Sequence, residues 1–124
     1  MKDKKVIWIT GASSGIGNAL ALKFAQEGWI VAASARREIL LQELTKINQN
    51  IHSFPLDVTN PEQCKKVFED IRKKFNNIEI SIFGTGIHDP NSEKRFNLEK
   101  IREIMEVNYF GTMNSINSVY DYYN

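Results

Sequence analysis

Two glycine-rich segments, a pair of arginines, one aspartate and one asparagine are the residues of this sequence whose types and spacing point to chemistry. Thr10-Gly11-Ala12-Ser13-Ser14-Gly15-Ile16-Gly17 follows a short apolar run, Val6-Ile7-Trp8-Ile9, and precedes apolar residues at helical spacing. A glycine turn between a strand and a helix is the setting in which a backbone cradles phosphate. Gly11 gives the tight turn out of the strand, Gly15 lets the backbone approach a pyrophosphate, and Gly17 lets helix and strand pack closely. The helix N-terminus supplies free N–H groups and partial positive charge, and Ser13 and Ser14 add hydroxyl donors. Glycines also mark ordinary loops, so the flanking strand and helix carry this reading.

Those elements are legible as a regular alternation. Apolar runs over residues 5–9, 29–34, 51–56 and 79–83 read as strands. Between them lie helical patterns. The first, stopped by Gly28, places Ile16, Ala19, Leu20 and Phe24 on its inner face. The second, over residues 38–48, places Ile39, Leu40, Leu44 and Ile47 inward. The third starts at Pro61 with Asn60 as its cap and turns Val67, Phe68, Ile71 and Phe75 inward. Residues 87–97 read as a loop. A long helix follows from residue 98, with Ile101, Met105, Asn108, Thr112, Ile116 and Val119 on one stripe. The stripe sets an amide in a largely apolar face, where it needs hydrogen-bond partners. Gly111 in that helix costs about 1 kcal/mol relative to alanine and suggests backbone accommodation. Strands alternating with helices imply right-handed crossovers and a parallel sheet covered on both faces. The expected fold is α/β, a Rossmann-type doubly wound sheet. Wound as a dinucleotide-binding half, it has strand order 3-2-1-4.

The Thr-Gly-x-x-x-Gly-x-Gly spacing resembles the short-chain dehydrogenase/reductase family and differs from the Gly-x-Gly-x-x-Gly of other Rossmann dehydrogenases. Three further segments agree. Asp57-Val58 after the third strand resembles the family's aspartate that hydrogen-bonds near the adenine ring. Gly84-Thr85-Gly86 occupies the place of its Asn-Asn-Ala-Gly, and Val107-Asn108 matches its helix asparagine. The resemblance runs from about residue 4 to residue 120. One departure is clear: Phe83-Gly84-Thr85-Gly86 loses both asparagine amides that would brace this loop, although Gly86 still permits close cofactor approach. A turn or capping role before Thr59-Asn60 is the alternative for Asp57.

The resemblance implies hydride transfer between a nicotinamide cofactor and a carbonyl or alcohol. It assigns cofactor contacts to Gly11, Ser13, Ser14, Gly15, Ile16, Gly17, Arg36, Arg37, Asp57, Val58, Gly84, Thr85 and Gly86, and the proton-relay position among the catalytic residues to Asn108. In Ser34-Ala35-Arg36-Arg37, Ala35 stands where an acid would bind the ribose diol, and the first acid after the strand is Glu38. Guanidiniums there pair with a 2′-phosphate, so NADP is favoured over NAD. A cationic start to a helix opposes its dipole, which weighs against a merely solvated pair.

The family's catalytic signature is Tyr-x-x-x-Lys, with a substrate serine on the fifth strand. Here the tyrosines are Tyr109, Tyr120, Tyr122 and Tyr123, and the last lysine is Lys100, so no lysine follows any tyrosine. Residues 1–124 are therefore expected to be the NAD(P)-binding half-domain of such an oxidoreductase, with the catalytic half absent and no activity alone. The other reading is a freestanding nucleotide-binding or interaction module that does not catalyse.

Composition bounds the alternatives. A chain of 124 residues is one domain's worth, and a net charge of +1, from 16 Lys+Arg and 15 Asp+Glu, supplies no field for nucleic acid or anionic lipid. The four-residue apolar run near the N-terminus is too short for a secretory or membrane segment. One cysteine, Cys64, makes neither an internal disulfide nor a Cys-rich metal site, which suits a cytoplasmic protein without a metal. His52 and His88 lack the partners of a catalytic base. The expected partners are a small-molecule substrate and further copies of the chain, through residues 97–123 or the edge of the fourth strand, because the last helix carries more apolar residues than one inward stripe can bury.

Overall fold

The computed structural model describes residues 4–88 and 95–124. Four parallel strands, β1 (Val6–Thr10), β2 (Ile30–Ser34), β3 (Ile51–Ser53) and β4 (Ile80–Phe83), form one sheet in the order β3-β2-β1-β4. This is the expected order. β1 lies between two neighbours, and all five of its residues are buried. β3 is shorter than its apolar run because regular pairing stops at Ser53, yet Phe54 and Leu56 still donate to Ala33 and Ala35 of the neighbouring segment.

Alternation along β1 feeds two cores. Ile7 and Ile9 face α1 (Gly15–Gln26) and α2 (Glu38–Ile47) and pack with Ala21, Ala25, Leu41 and Leu44. Val6 and Trp8 face the other way, toward α3 (Pro61–Phe75) and α5 (Gly111–Tyr123), and pack with Phe68, Ile71, Val107 and Val119. Trp8 packs 5.6 Å from Phe68, with tilted rings, and 5.8 Å from Phe83, edge to face, ring centre to ring centre. Its indole Nε1 donates to Ser34 Oγ at 2.9 Å, which satisfies a polar pair in the core. Asn60 caps α3 by accepting from Gln63 N, with Pro61 as the first helical residue, as the sequence predicts.

The helix faces differ from the sequence expectation at three places. On α1 the buried residues are Gly17, Ala21 and Ala25, while Ile16 is 81% exposed and Ala19 is exposed. A stripe of small residues lets the helix lie close to the sheet, and larger residues are turned to its flanks. On α2, Leu41 and Leu44 are buried, whereas Ile39 and Ile47 are exposed. With about 3.6 residues per turn, Ile39 lies nearly opposite Leu41.

The last helix is continuous but not uniform. α4 (Leu98–Met105) passes through a π-helical turn, Glu106–Phe110, into α5. The inward line is Val107, Gly111, Ser115 and Val119, whereas Ile101, Met105, Asn108 and Ile116 are exposed, so the expected stripe is not a buried face. A π turn widens the helix by one residue, so a constant period drawn across it drifts off the true inner face.

Candidate functional site

At the C-terminal ends of the strands, the loops enclose an open cleft of about 320 Å³. Its floor is the first glycine turn. Gly11 and Gly15 have φ of +69° and +56°, left-handed values suited to glycine. A Cβ on Gly17 would stand 2.2 Å from Gly11 O, so this glycine permits α1 to close on the turn. Around Gly15 the space is open, and nothing stands within 4 Å of where its Cβ would be. Ser14 is the N-cap of α1 without capping through its side chain, and the first turn carries no acid. The first amides of the helix therefore have no intrahelical partner and face no neutralising carboxylate.

The second glycine turn packs on the first. A Cβ on Gly11 would lie 2.5 Å from the carbonyl of Gly84 and 2.7 Å from Thr85 N. In place of asparagine amides, Thr10 holds this loop: Gly84 N donates to Thr10 O at 3.1 Å and to Thr10 Oγ1 at 3.2 Å. The loop is then tied to the last helix. Asn108 Oδ1 accepts from Ile87 N at 2.7 Å, and its Nδ2 donates to Ile87 O at 2.8 Å. The amide thus finds its partners in one backbone unit beside Gly86.

Charged groups line the cleft as well. Arg36 and Arg37 are exposed at the mouth, beyond the buried Ala35. Arg37 is the N-cap of α2 and Glu38 fills its first turn, so the guanidiniums precede the helix and its start is not cationic. Among the described residues neither arginine forms an ion pair. Asp57 Oδ1 accepts from Thr59 Oγ1 at 2.7 Å and from Thr59 N at 3.0 Å. The Thr59 hydroxyl holds its carboxyl below the ordinary value, against the opposing effect of burial, with help from the Thr59 amide and from Arg36. Asp57 therefore plays the turn role and lines the cleft as well.

Of the residues expected to contact a cofactor, Gly11, Ser13, Ser14, Arg36, Arg37, Asp57, Val58, Gly84, Thr85 and Gly86 converge on this cleft. Gly15, Ile16 and Gly17 are not lining residues: they form the first turn of α1, whose N-cap Ser14 does line the cleft, and Gly17 is buried against the first glycine turn. Sequence reasoning missed Leu56, Ile87, Glu103 and Val107 as lining residues. Leu56, Ile87 and Val107 adjoin motif residues, so extending each motif by one position would have found them. Glu103 carries no such signal. His88 is exposed and outside the cleft lining.

The family model described as short chain dehydrogenase matches residues 5–124. The chain belongs to the short-chain dehydrogenase family. It is 37% identical over 116 residues to the NADPH-dependent 1-acyldihydroxyacetone phosphate reductase of Schizosaccharomyces pombe, covering 91% of this chain and 38% of that protein. It is 34% identical to 11-beta-hydroxysteroid dehydrogenase A of Sesamum indicum, covering 86% of this chain and 32% of that one. The solved structure of ElxO with NADP bound superposes with a TM-score of 0.85 at 26% identity, over 96% of this chain and 50% of ElxO. The chain thus spans well under half the length of these curated relatives. Short-chain dehydrogenases bind nicotinamide cofactors, and the cleft lies where the sheet and the first glycine turn meet. Among the described residues no helix is long and apolar enough to cross a membrane.

Proposed function

We propose that residues 1–124 form the NADP-binding half of a short-chain oxidoreductase. The observation that carries this reading is one cleft that joins the uncapped, acid-free start of α1 to two guanidiniums without ion pairs among the described residues. The α1 amides at Gly15, Ile16 and Gly17, with Ser13 and Ser14, would hold the pyrophosphate. Arg36 and Arg37 would pair with the 2′-phosphate. Leu56, Val58 and Val107 offer an apolar slot for a flat base beside Asp57. Gly84, Thr85 and Gly86 would admit the nicotinamide side. Bound NADPH would supply a hydride to a carbonyl carbon. Asn108 positions the Ile87 backbone at that end, and with both amide groups engaged it acts through that backbone.

Calorimetric titration of the chain with NADPH and NADH tests the reading: NADPH is expected to bind more tightly, and equal affinity or preference for NADH overturns it. No lysine follows a tyrosine in this sequence, so we expect no turnover of a carbonyl by these 124 residues alone. Turnover by the pure chain would overturn that expectation. We further propose a cytoplasmic protein, on its single buried thiol, that assembles with copies of itself through residues 97–123 or the β4 edge.

A further inference from the structure

We infer that Asn114, a residue of α5 outside every glycine, arginine and aspartate motif, sets the position of the Asp57-Val58 loop and so tunes affinity for the adenosine end of the cofactor. This rests on the NADP-binding reading. Asn114 does not line the cleft, whereas Asp57 and Val58 do.

The argument begins with how closely α5 approaches the loop. A Cβ on Gly111 would stand 2.6 Å from Val58 Cγ2 and 3.3 Å from Val58 Cβ, so the helix lies against this valine over a glycine. Three residues further on, on the same side of the helix, Asn114 Nδ2 donates to Val58 O at 2.9 Å. Val58 is 5% exposed, and the other group near its carbonyl is Cys64 Sγ at 3.7 Å, a weak donor. The asparagine amide is thus the strong donor to a carbonyl largely shielded from water. The opposite end of the loop is fixed from α3, where Asp57 N donates to Gln63 Oε1 at 2.6 Å. Asp57 and Val58 are therefore strung between two helices, and Asn114 is the α5 anchor. Without it the carbonyl lacks a strong partner, and Val58 can leave the wall against which a base would rest.

The experiment measures Kd of the full chain for NADPH and for adenosine 2′,5′-bisphosphate, which reaches only the adenosine end. Asn114→Leu removes the donor at similar size, Asn114→Asp sets a carboxylate against the carbonyl, and Asn114→Ser keeps a donor on a shorter stem. Losing the partner of a buried carbonyl predicts roughly tenfold weaker binding of both ligands for Asn114→Leu. Asn114→Asp should lose more and Asn114→Ser less. Amide hydrogen exchange should quicken at residues 57–59. Ser118→Ala is the control for general loosening of α5: Ser118 Oγ donates within the helix to Ser115 O, so affinity should stay within twofold of the unaltered chain. Unchanged affinity in the Asn114 series, or an equal loss in Ser118→Ala, overturns the inference alone. Failure of the unaltered chain to bind either ligand overturns the NADP-binding reading, and the inference with it.

Discussion

Arg36 is the residue on which cofactor choice is expected to turn. Exchanging it for aspartate removes a charge-assisted partner for the 2′-phosphate and adds repulsion, so Arg36→Asp should weaken NADPH binding by about tenfold or more and leave NADH nearly unchanged. Calorimetry with both cofactors checks this, and equal losses would show that the arginine does not distinguish them. His52 gives a second prediction, in pH. It lies on β3 against Phe75, with ring centres 5.0 Å apart, and burial lowers its basicity, aided by Lys74 and Lys4. The unfolded chain then takes up a proton that the folded chain resists. The stability contributed by the neutral ring is present above the unfolded value of 6.5 and is lost as pH falls through the lower folded value. Thermal unfolding should shift downward between pH 7 and pH 5, and His52→Gln should flatten that part of the profile. Residue types announced the arginine pair and Asp57, because charge at a strand end has few other uses. They offered the turn on Thr59 as an alternative to the cleft role of Asp57, and could not announce that it holds both, since both roles ask for the same carboxylate.

At the level of elements, the glycine turns make the sharpest forecast. Gly17→Ala would drive a methyl into the Gly11 carbonyl, and such overpacking against backbone costs about 1–3 kcal/mol or more. Gly15→Ala meets open space but a left-handed φ, at a cost of about 1–2 kcal/mol. Urea unfolding should rank Gly17→Ala as the more damaging, and the reverse order would mean that the turn relaxes. Strand number was legible because each apolar run ends at a turn residue or a cap and the next begins soon after, and the strand order followed from winding the sheet as a dinucleotide-binding half. Helix phase was less so. Ile16, Ile39 and Ile47 are apolar yet exposed, and the stripe that α1 buries is glycine and alanine, which carry little hydrophobic signal. The π turn was invisible for a related reason: one extra residue in a turn leaves composition unchanged and alters only which residues face inward. Glu103 was lost with it, because its place on the cleft depends on how α4 enters that turn.

For the whole molecule, uneven covering of the sheet is expected to govern behaviour in solution. Among the described residues β4 has a neighbour only on the β1 side, and Ile80 is 38% exposed. Along the last helix Tyr109, Phe110, Met113, Ile116, Tyr120 and Tyr123 are between 36% and 59% exposed, a large apolar surface to leave facing water. Light scattering is expected to report a dimer or larger species, and Phe110→Glu with Met113→Glu should return it toward monomer if the helix carries the contact. A monomer at high micromolar concentration would exclude self-association. The central position of β1 has a further consequence, in time. Its partners are residues 30–34 on one side and residues 80–83 on the other, so Ile7 meets Val31 across a short loop and Ile80 only after a far longer one. Closing the longer loop costs more entropy before any contact rewards it. On a ribosome the first strand made is the last to gain its second neighbour. Until residue 83 emerges, Ile7 and Ile9 belong to a ribbon with a bare flank, and that interval is when a chaperone has most to hold.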